Sequence, residues 1–172
     1  GSESDNWALR GAALLGEKKG KKHIITTTIE HHAIHHTLAR LEKEGFTVTY
    51  VGVQSNGIVR VEDIAAAITD ETCLVTVMYA NNEIGTIQPL QEIGAIAKKH
   101  DIFFHSDAAQ AIGKIDIDVK KLGIDLLSIS GHKIYGPKGI GALYSSVSPK
   151  RVRLSPIFSG GGQERNFRSG TL

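Results

Sequence analysis

Ile124-Asp125-Leu126-Leu127-Ser128-Ile129-Ser130-Gly131-His132-Lys133-Ile134-Tyr135-Gly136-Pro137-Lys138-Gly139 is the stretch of this 172-residue chain whose pattern decides the fold. The run Ile124 to Ile129 is apolar and short, as in a buried strand. Gly131, Gly136, Pro137 and Gly139 then force a tight, exposed connection before a strand resumes at Ile140. Lys133 sits inside that turn, at the end of an apolar strand, where poor solvation is expected. Desolvation and nearby cations lower a lysine pKa from about 10.4 and free the neutral amine that forms Schiff bases with carbonyls. Most loop lysines are solvated surface charges, so Lys133 alone decides nothing.

Upstream, His105-Ser106-Asp107-Ala108-Ala109-Gln110 closes a strand Ile102-Phe103-Phe104 with an aspartate. Ligands of open α/β sheets sit at the carboxyl ends of strands, so Asp107 and Lys133 are expected to end neighbouring strands on one rim. A Schiff-base lysine with an aspartate that keeps a pyridine nitrogen protonated is the pair that pyridoxal phosphate requires. The remaining chain alternates strands and helices. Strands are predicted over His23 to Thr28, Phe46 to Val53, Thr72 to Tyr79 and Ile102 to His105. Helices are predicted over Ala33 to Glu44 (stopped by Gly45), Val61 to Ile68 and Pro89 to His100, with a short piece near Val119 to Leu122. A further helix is expected from Trp7 to Leu15, opening on the hydroxyl and carboxylate caps of Gly1 to Asn6. Such alternation predicts an α/β fold, a mostly parallel sheet flanked by helices on both faces.

The string Ser130 to Gly139 closely resembles the cofactor-lysine motif of the cysteine desulfurases, the NifS-like enzymes of the class V aminotransferases. The resemblance extends over the chain in an ordered series. Glu30-His31-His32-Ala33 matches that family's Glu-His-x-Ala, and Asn81-Asn82-Glu83-Ile84-Gly85 its Asn-Asn-Glu-Ile-Gly. Gly160-Gly161-Gly162-Gln163-Glu164-Arg165 and Arg168-Ser169-Gly170-Thr171 complete the order. It implies the large, cofactor-binding domain of fold type I pyridoxal 5'-phosphate enzymes. It further implies that Lys133 holds the cofactor covalently and moves protons, that Asp107 pairs with the pyridine nitrogen, and that His31 stacks on the ring. Gln110 would bond the phenolic oxygen, with Asn82 beside that oxygen and the substrate. Ser130 and His132 would contact the phosphate, and Thr171 the phosphate of the partner subunit in a homodimer. Ser2 stands where the family has a phosphate-binding threonine; alternatively Gly1-Ser2 is an expression scar.

Each of these residues has a plainer fate. Asp107 is equally suited to cap a turn, Gln110 to be a surface amide, and Asn81-Asn82 to be turn chemistry. Their joint occurrence with the lysine motif favours function. His31, His32, His35 and His36 give i, i+4 pairs, a spacing that binds metals, but the His-Glu-x-x-His order is absent and Glu30 precedes the pairs. No metal site is expected, and His32, His35 and His36 are placed on a helix face. Cys73, the single cysteine, precedes Leu74-Val75-Thr76-Val77 and reads as an inert core thiol.

Composition bounds the rest. With 41% hydrophobic and 22% charged residues the chain suits a single domain over residues 1–172. A formal net charge of +2 gives no nucleic-acid footprint, and Glu17 to Lys22 reads as a solvated turn. One cysteine argues against a disulfide-stapled secreted domain. No membrane span or signal peptide is evident, so a cytoplasmic setting is the default expectation.

The family pattern continues beyond Leu172 into a small domain with a nucleophilic cysteine and an arginine for the substrate carboxylate. This chain is therefore expected to be a large-domain fragment, truncated on its N-terminal side as well and inactive alone. The resemblance implies that the full enzyme converts L-cysteine to L-alanine, transferring sulfur as a protein persulfide to acceptors such as an iron–sulfur scaffold, or toward tRNA thiolation. The alternatives are another class V enzyme, such as an aminotransferase or selenocysteine lyase, and a non-catalytic dimerisation or binding module.

Overall fold

The computed structural model describes residues 1–147 and 152–171. Strands β1 (His23–Thr27), β2 (Thr47–Val51), β3 (Thr72–Thr76), β4 (Phe103–Asp107), β5 (Leu126–Ser130) and β6 (Gly141–Ser145) form one sheet in the order β2-β1-β3-β4-β5-β6. All neighbours run parallel except β6, which is antiparallel to β5. Helices α1 (Ser2–Glu17), α2 (His32–Lys43), α3 (Val61–Ala66) and α4 (Leu90–Lys99) cover the two faces, as the alternation predicted.

The pleat explains why the strands read as continuous apolar runs. Successive residues point to opposite faces, so each strand feeds two cores. Ile25, Val75, Phe104 and Leu127 pack with Ile64 of α3 and Leu90, Ile93 and Ala97 of α4. Their neighbours Ile24, Leu74, Phe103 and Leu126 pack with Ala8, Leu9 and Ala12 of α1 and with Ile34, Leu38 and Leu41 of α2. A sheet buried on both sides leaves no polar face, which is the mark of parallel α/β folds. The chain leaves β1 toward β2 on one side and returns to β3 on the other. That reversal opens a crevice at the carboxyl ends of β1 and β3.

Several boundaries differ from the sequence expectation, each for a local reason. Helix α1 begins at Ser2, not Trp7: Gly1 is its N-cap and its carbonyl accepts from the Asp5 amide (2.9 Å) and Ser4 Oγ (2.7 Å). The polar residues Ser2 to Asn6 thus form its first turns, with Glu3 and Asp5 at the positive end of the dipole. No helix forms at Val119 to Leu122. Asp118 Oδ1 accepts from the amides of Lys120 and Lys121, and Gly123 (φ 68°) ends the turn. Strand β5 starts at Leu126 because the Ile124 amide bonds Val119 O. Phe46 is excluded from β2 because its amide bonds Leu41 O at the end of α2. Strand β3 is Thr72–Thr76, and the Val77 and Tyr79 amides carry its pairing with β4 on to the His105 (3.2 Å) and Asp107 (3.0 Å) carbonyls.

Cys73 is buried in β3, its Sγ donating to the His23 carbonyl at 3.3 Å. Burial pushes its thiol up to about 11, as an inert core cysteine requires. Among the described residues no helix is long and apolar enough to cross a membrane.

Candidate functional site

A cavity of about 210 Å³ opens over the carboxyl ends of the central strands. Asp107 closes β4 on its floor and Ser130 closes β5, both buried. His132 and Lys133 come from the 3-10 turn Gly131–Ile134 that follows β5. His31 enters from the N-cap of α2, and Met78, Ala80 and Asn82 from the chain beyond β3. Gln110 follows β4, while Ser2 and Asp5 come from the first turn of α1. Lys133, Asp107, Gln110, His31, Asn82, Ser130, His132 and Ser2 therefore converge on one space, although they span most of the chain. Thr171 is exposed and does not line this cavity. Its segment is tied to α1 by a two-bond fork, Arg168 Nε to Glu3 Oε1 (2.8 Å) and Arg168 Nη2 to Glu3 Oε2 (3.1 Å).

One expectation is corrected. Lys133 is exposed at the cavity mouth, not poorly solvated. The 3-10 turn carries it beyond the strand end into the open connection, and Tyr135 closes that turn in the left-handed region (φ 64°) fully exposed to solvent.

Local hydrogen bonds hold the lining in place. His31 Nδ1 accepts from the Ala33 amide at 3.1 Å, which caps α2 and fixes the ring. Asp107 Oδ1 accepts from the Ala109 amide at 2.8 Å. Gln110 Oε1 accepts from Lys114 Nζ at 2.9 Å, which leaves the amide N–H groups of Gln110 as donors. Ser130 Oγ and His132 Nδ1 lie 3.1 Å apart. His32 stacks on His36 (5.4 Å between centroids) and His35 on Tyr50 (5.8 Å), which accounts for three of the clustered histidines as surface contacts of α2.

Acid gathers beneath the cavity. Burial raises the Asp107 carboxyl above its ordinary range. Burial and the nearby Asp107 push Asp5 up to about 7, and burial pushes Glu30 up to about 8. His105 Nε2 lies 3.8 Å from Asp5 Oδ1, yet the two are not an ion pair. Burial pushes the imidazole down to about 3, so His105 is neutral, bonded to Thr76 Oγ1 (2.8 Å) and Ser128 Oγ (3.0 Å). Sequence reasoning missed Asp5 in the cavity lining and Glu30 behind it, bonded to the amide of the lining residue Met78. Asp5 reads as a helix cap by composition, and Glu30 was quoted only within a motif; the one signal was an acid directly beside the apolar residue Ile29.

Residues 1–171 match the family model described as aminotransferase class-V. The chain belongs to that family. This class-V aminotransferase chain is 61% identical over 171 residues to the cysteine desulfurase IscS of Clostridium botulinum, covering 99% of itself and 42% of the relative. It is 57% identical to the mitochondrial cysteine desulfurase of Saccharomyces cerevisiae, covering 99% of itself and 34% of that protein. Among solved structures, SspA in complex with cysteine superposes with a TM-score of 0.93 at 47% identity, covering 99% of this chain and 49% of that one. A NifS-like protein gives 0.92 at 45% identity, with 99% and 46% covered. The chain thus spans less than half the length of these relatives.

Proposed function

We propose that this chain is the cofactor-binding large domain of a pyridoxal 5'-phosphate-dependent cysteine desulfurase. The observation that carries the proposal is the convergence of Lys133, Asp107, His31, Gln110, Asn82, Ser130 and His132 on one cavity in a chain 61% identical to such an enzyme. The donor set suits the group. Asp107 is a buried carboxyl raised by desolvation, and a protonated ring nitrogen would relieve that cost. Ser130 and His132 offer hydroxyl and imidazole donors to a phosphate, with Ser2 at the N-terminus of α1 beside them. Gln110 presents amide donors to a ring oxygen, and His31 offers a flat ring held by its own capping bond.

Once bound, pyridoxal phosphate supplies an electron sink for bonds at the substrate α-carbon. Lys133 would hold the cofactor and then move the proton between its Nζ and the substrate; its exposure at the mouth would let it exchange that proton with water. Asp107 would keep the ring nitrogen charged, and His31, its ring held by the Ala33 amide, would stack on the cofactor. The substrate is L-cysteine, released as L-alanine after its sulfur passes to a protein thiolate. Cys73 is buried and its thiolate disfavoured, so that nucleophile belongs to the rest of the protein. The protein acts as a homodimer in which Thr171 faces the partner's phosphate, and its sulfur goes to iron–sulfur assembly or tRNA thiolation.

In the full-length protein, Lys133→Ala is expected to reduce alanine formation from L-cysteine by at least about a thousandfold. Retention of a tenth or more of the activity would overturn the assignment of Lys133. Absence of activity in the unaltered protein would favour another class V reaction.

A further inference from the structure

The β1–β3 ladder ends at Ile25 opposite Val75, yet two cavity residues, His31 and Asn82, lie well beyond it. Backbone pairing between these two strands does not reach the segments that carry them. Two buried side chains do. Glu30 Oε1 accepts from the Met78 amide at 2.9 Å and from Thr27 Oγ1 at 2.6 Å, while Oε2 accepts from the same Met78 amide at 3.1 Å. In the opposite direction, Asn81 Nδ2 donates to the Ile29 carbonyl at 2.9 Å. Asn81 Oδ1 meanwhile accepts from the amides of Glu83 (2.8 Å) and Ile84 (2.9 Å), which shapes its own turn. Each loop thus reaches across with one side chain to the other's backbone.

We infer that Glu30 and Asn81 form a reciprocal staple across the sheet's switch point, which positions His31 and Asn82, their immediate successors in sequence, at the cavity. Both residues touch backbone and not the cavity contents, so they are positioning residues. The register is direct: a shift of one loop against the other displaces Met78 and Asn82 relative to His31. Both staples are buried, Glu30 at 6% and Asn81 at 7% exposure, where an amide or carbonyl left without its partner is costly. Burial also leaves Glu30 largely neutral at pH 7, so glutamine reproduces its shape and its acceptor. This inference rests on the proposed cofactor site, but the staple itself is testable without it.

The test uses the full chain, ligand-free and with pyridoxal 5'-phosphate, in three variants. Glu30→Leu removes the acceptor, Glu30→Gln restores it, and Asn81→Asp keeps the turn bonds while removing the donor to Ile29. In Glu30→Leu and Asn81→Asp, pyridoxal phosphate affinity from fluorescence titration is expected to fall about tenfold or more, with Glu30→Gln within about threefold of the parent. Without ligand, exchange of the Met78 amide should accelerate in Glu30→Leu while amides within β3 stay protected. Unchanged affinity in a folded Glu30→Leu or Asn81→Asp chain overturns the positioning role, as does an equal loss in Glu30→Gln. If Glu30→Leu does not fold, Asn81→Asp decides. If the parent binds no pyridoxal phosphate, the cofactor proposal fails, and amide exchange at Met78 alone decides for or against the staple.

Discussion

Gly94→Ala is expected to destabilise the chain by about 3 kcal/mol, lowering its melting temperature by roughly 6–12 °C. Gly94 lies in the middle of α4, where glycine is otherwise unfavourable, because this is where the helix backbone meets the turn before β5. A Cβ there would overlap the Leu122 carbonyl oxygen and stand 3.0 Å from its carbonyl carbon. The obstacle is backbone, held by the bonds of Leu122 to Asp118 O and Ile124 to Val119 O, so it cannot rotate aside. Displacing it pushes β5, and with it Ser130 and Lys133, away from β4. Gly52→Ala is the control, since nothing lies within 4 Å of its added Cβ and its φ is not positive; it should stay within about 0.5 kcal/mol. Equal melting temperatures for the two variants would contradict the close approach.

Asp5→Asn is expected to stabilise the ligand-free chain by about 2–4 kcal/mol at pH 8 and by less than about 1 kcal/mol at pH 4. Asp5 is 1% exposed, and burial followed by the neighbouring Asp107 raises it from 3.8 to about 7. A folded value above the unfolded one means that the protonated acid is what the fold tolerates. Its contribution is intact below about pH 4 and is lost as pH rises toward 7, reaching a cost of about 4 kcal/mol. Asparagine keeps the shape without the charge. Chemical denaturation at the two pH values checks this; a gain of the same size at both would mean that Asp5 is not buried as a charge.

The architecture was legible because parallel strands buried on both faces leave apolar runs, such as Leu126-Leu127 and Phe103-Phe104, between helical segments with clear stops. The rim was legible too, since Asp107 and Ser130 close adjacent strands. What local pattern could not give was anything decided by partners distant in sequence. Trp7 looked like the first helical residue because Ser2 to Asn6 are polar, yet Ser4 and Asp5 are buried and both bond the Gly1 carbonyl that opens the helix. Lys133 looked desolvated because the preceding strand is apolar, but the turn after it has no covering element among the described residues. Glu30 and Asn81 sat inside quoted motifs without a role, because bonds to Met78 and Ile29 are visible only once β1 and β3 lie side by side.

The central claim is that these converging residues form a pyridoxal phosphate site with Lys133 as its covalent anchor. Its most direct test is to add pyridoxal 5'-phosphate to the purified chain and to Lys133→Ala, reduce both with borohydride, and map the adduct by peptide mass analysis. The account predicts a visible absorption band in the parent, stoichiometric labelling confined to Lys133, and neither in the variant. Labelling spread over surface lysines, or equal labelling of Lys133→Ala, would contradict it.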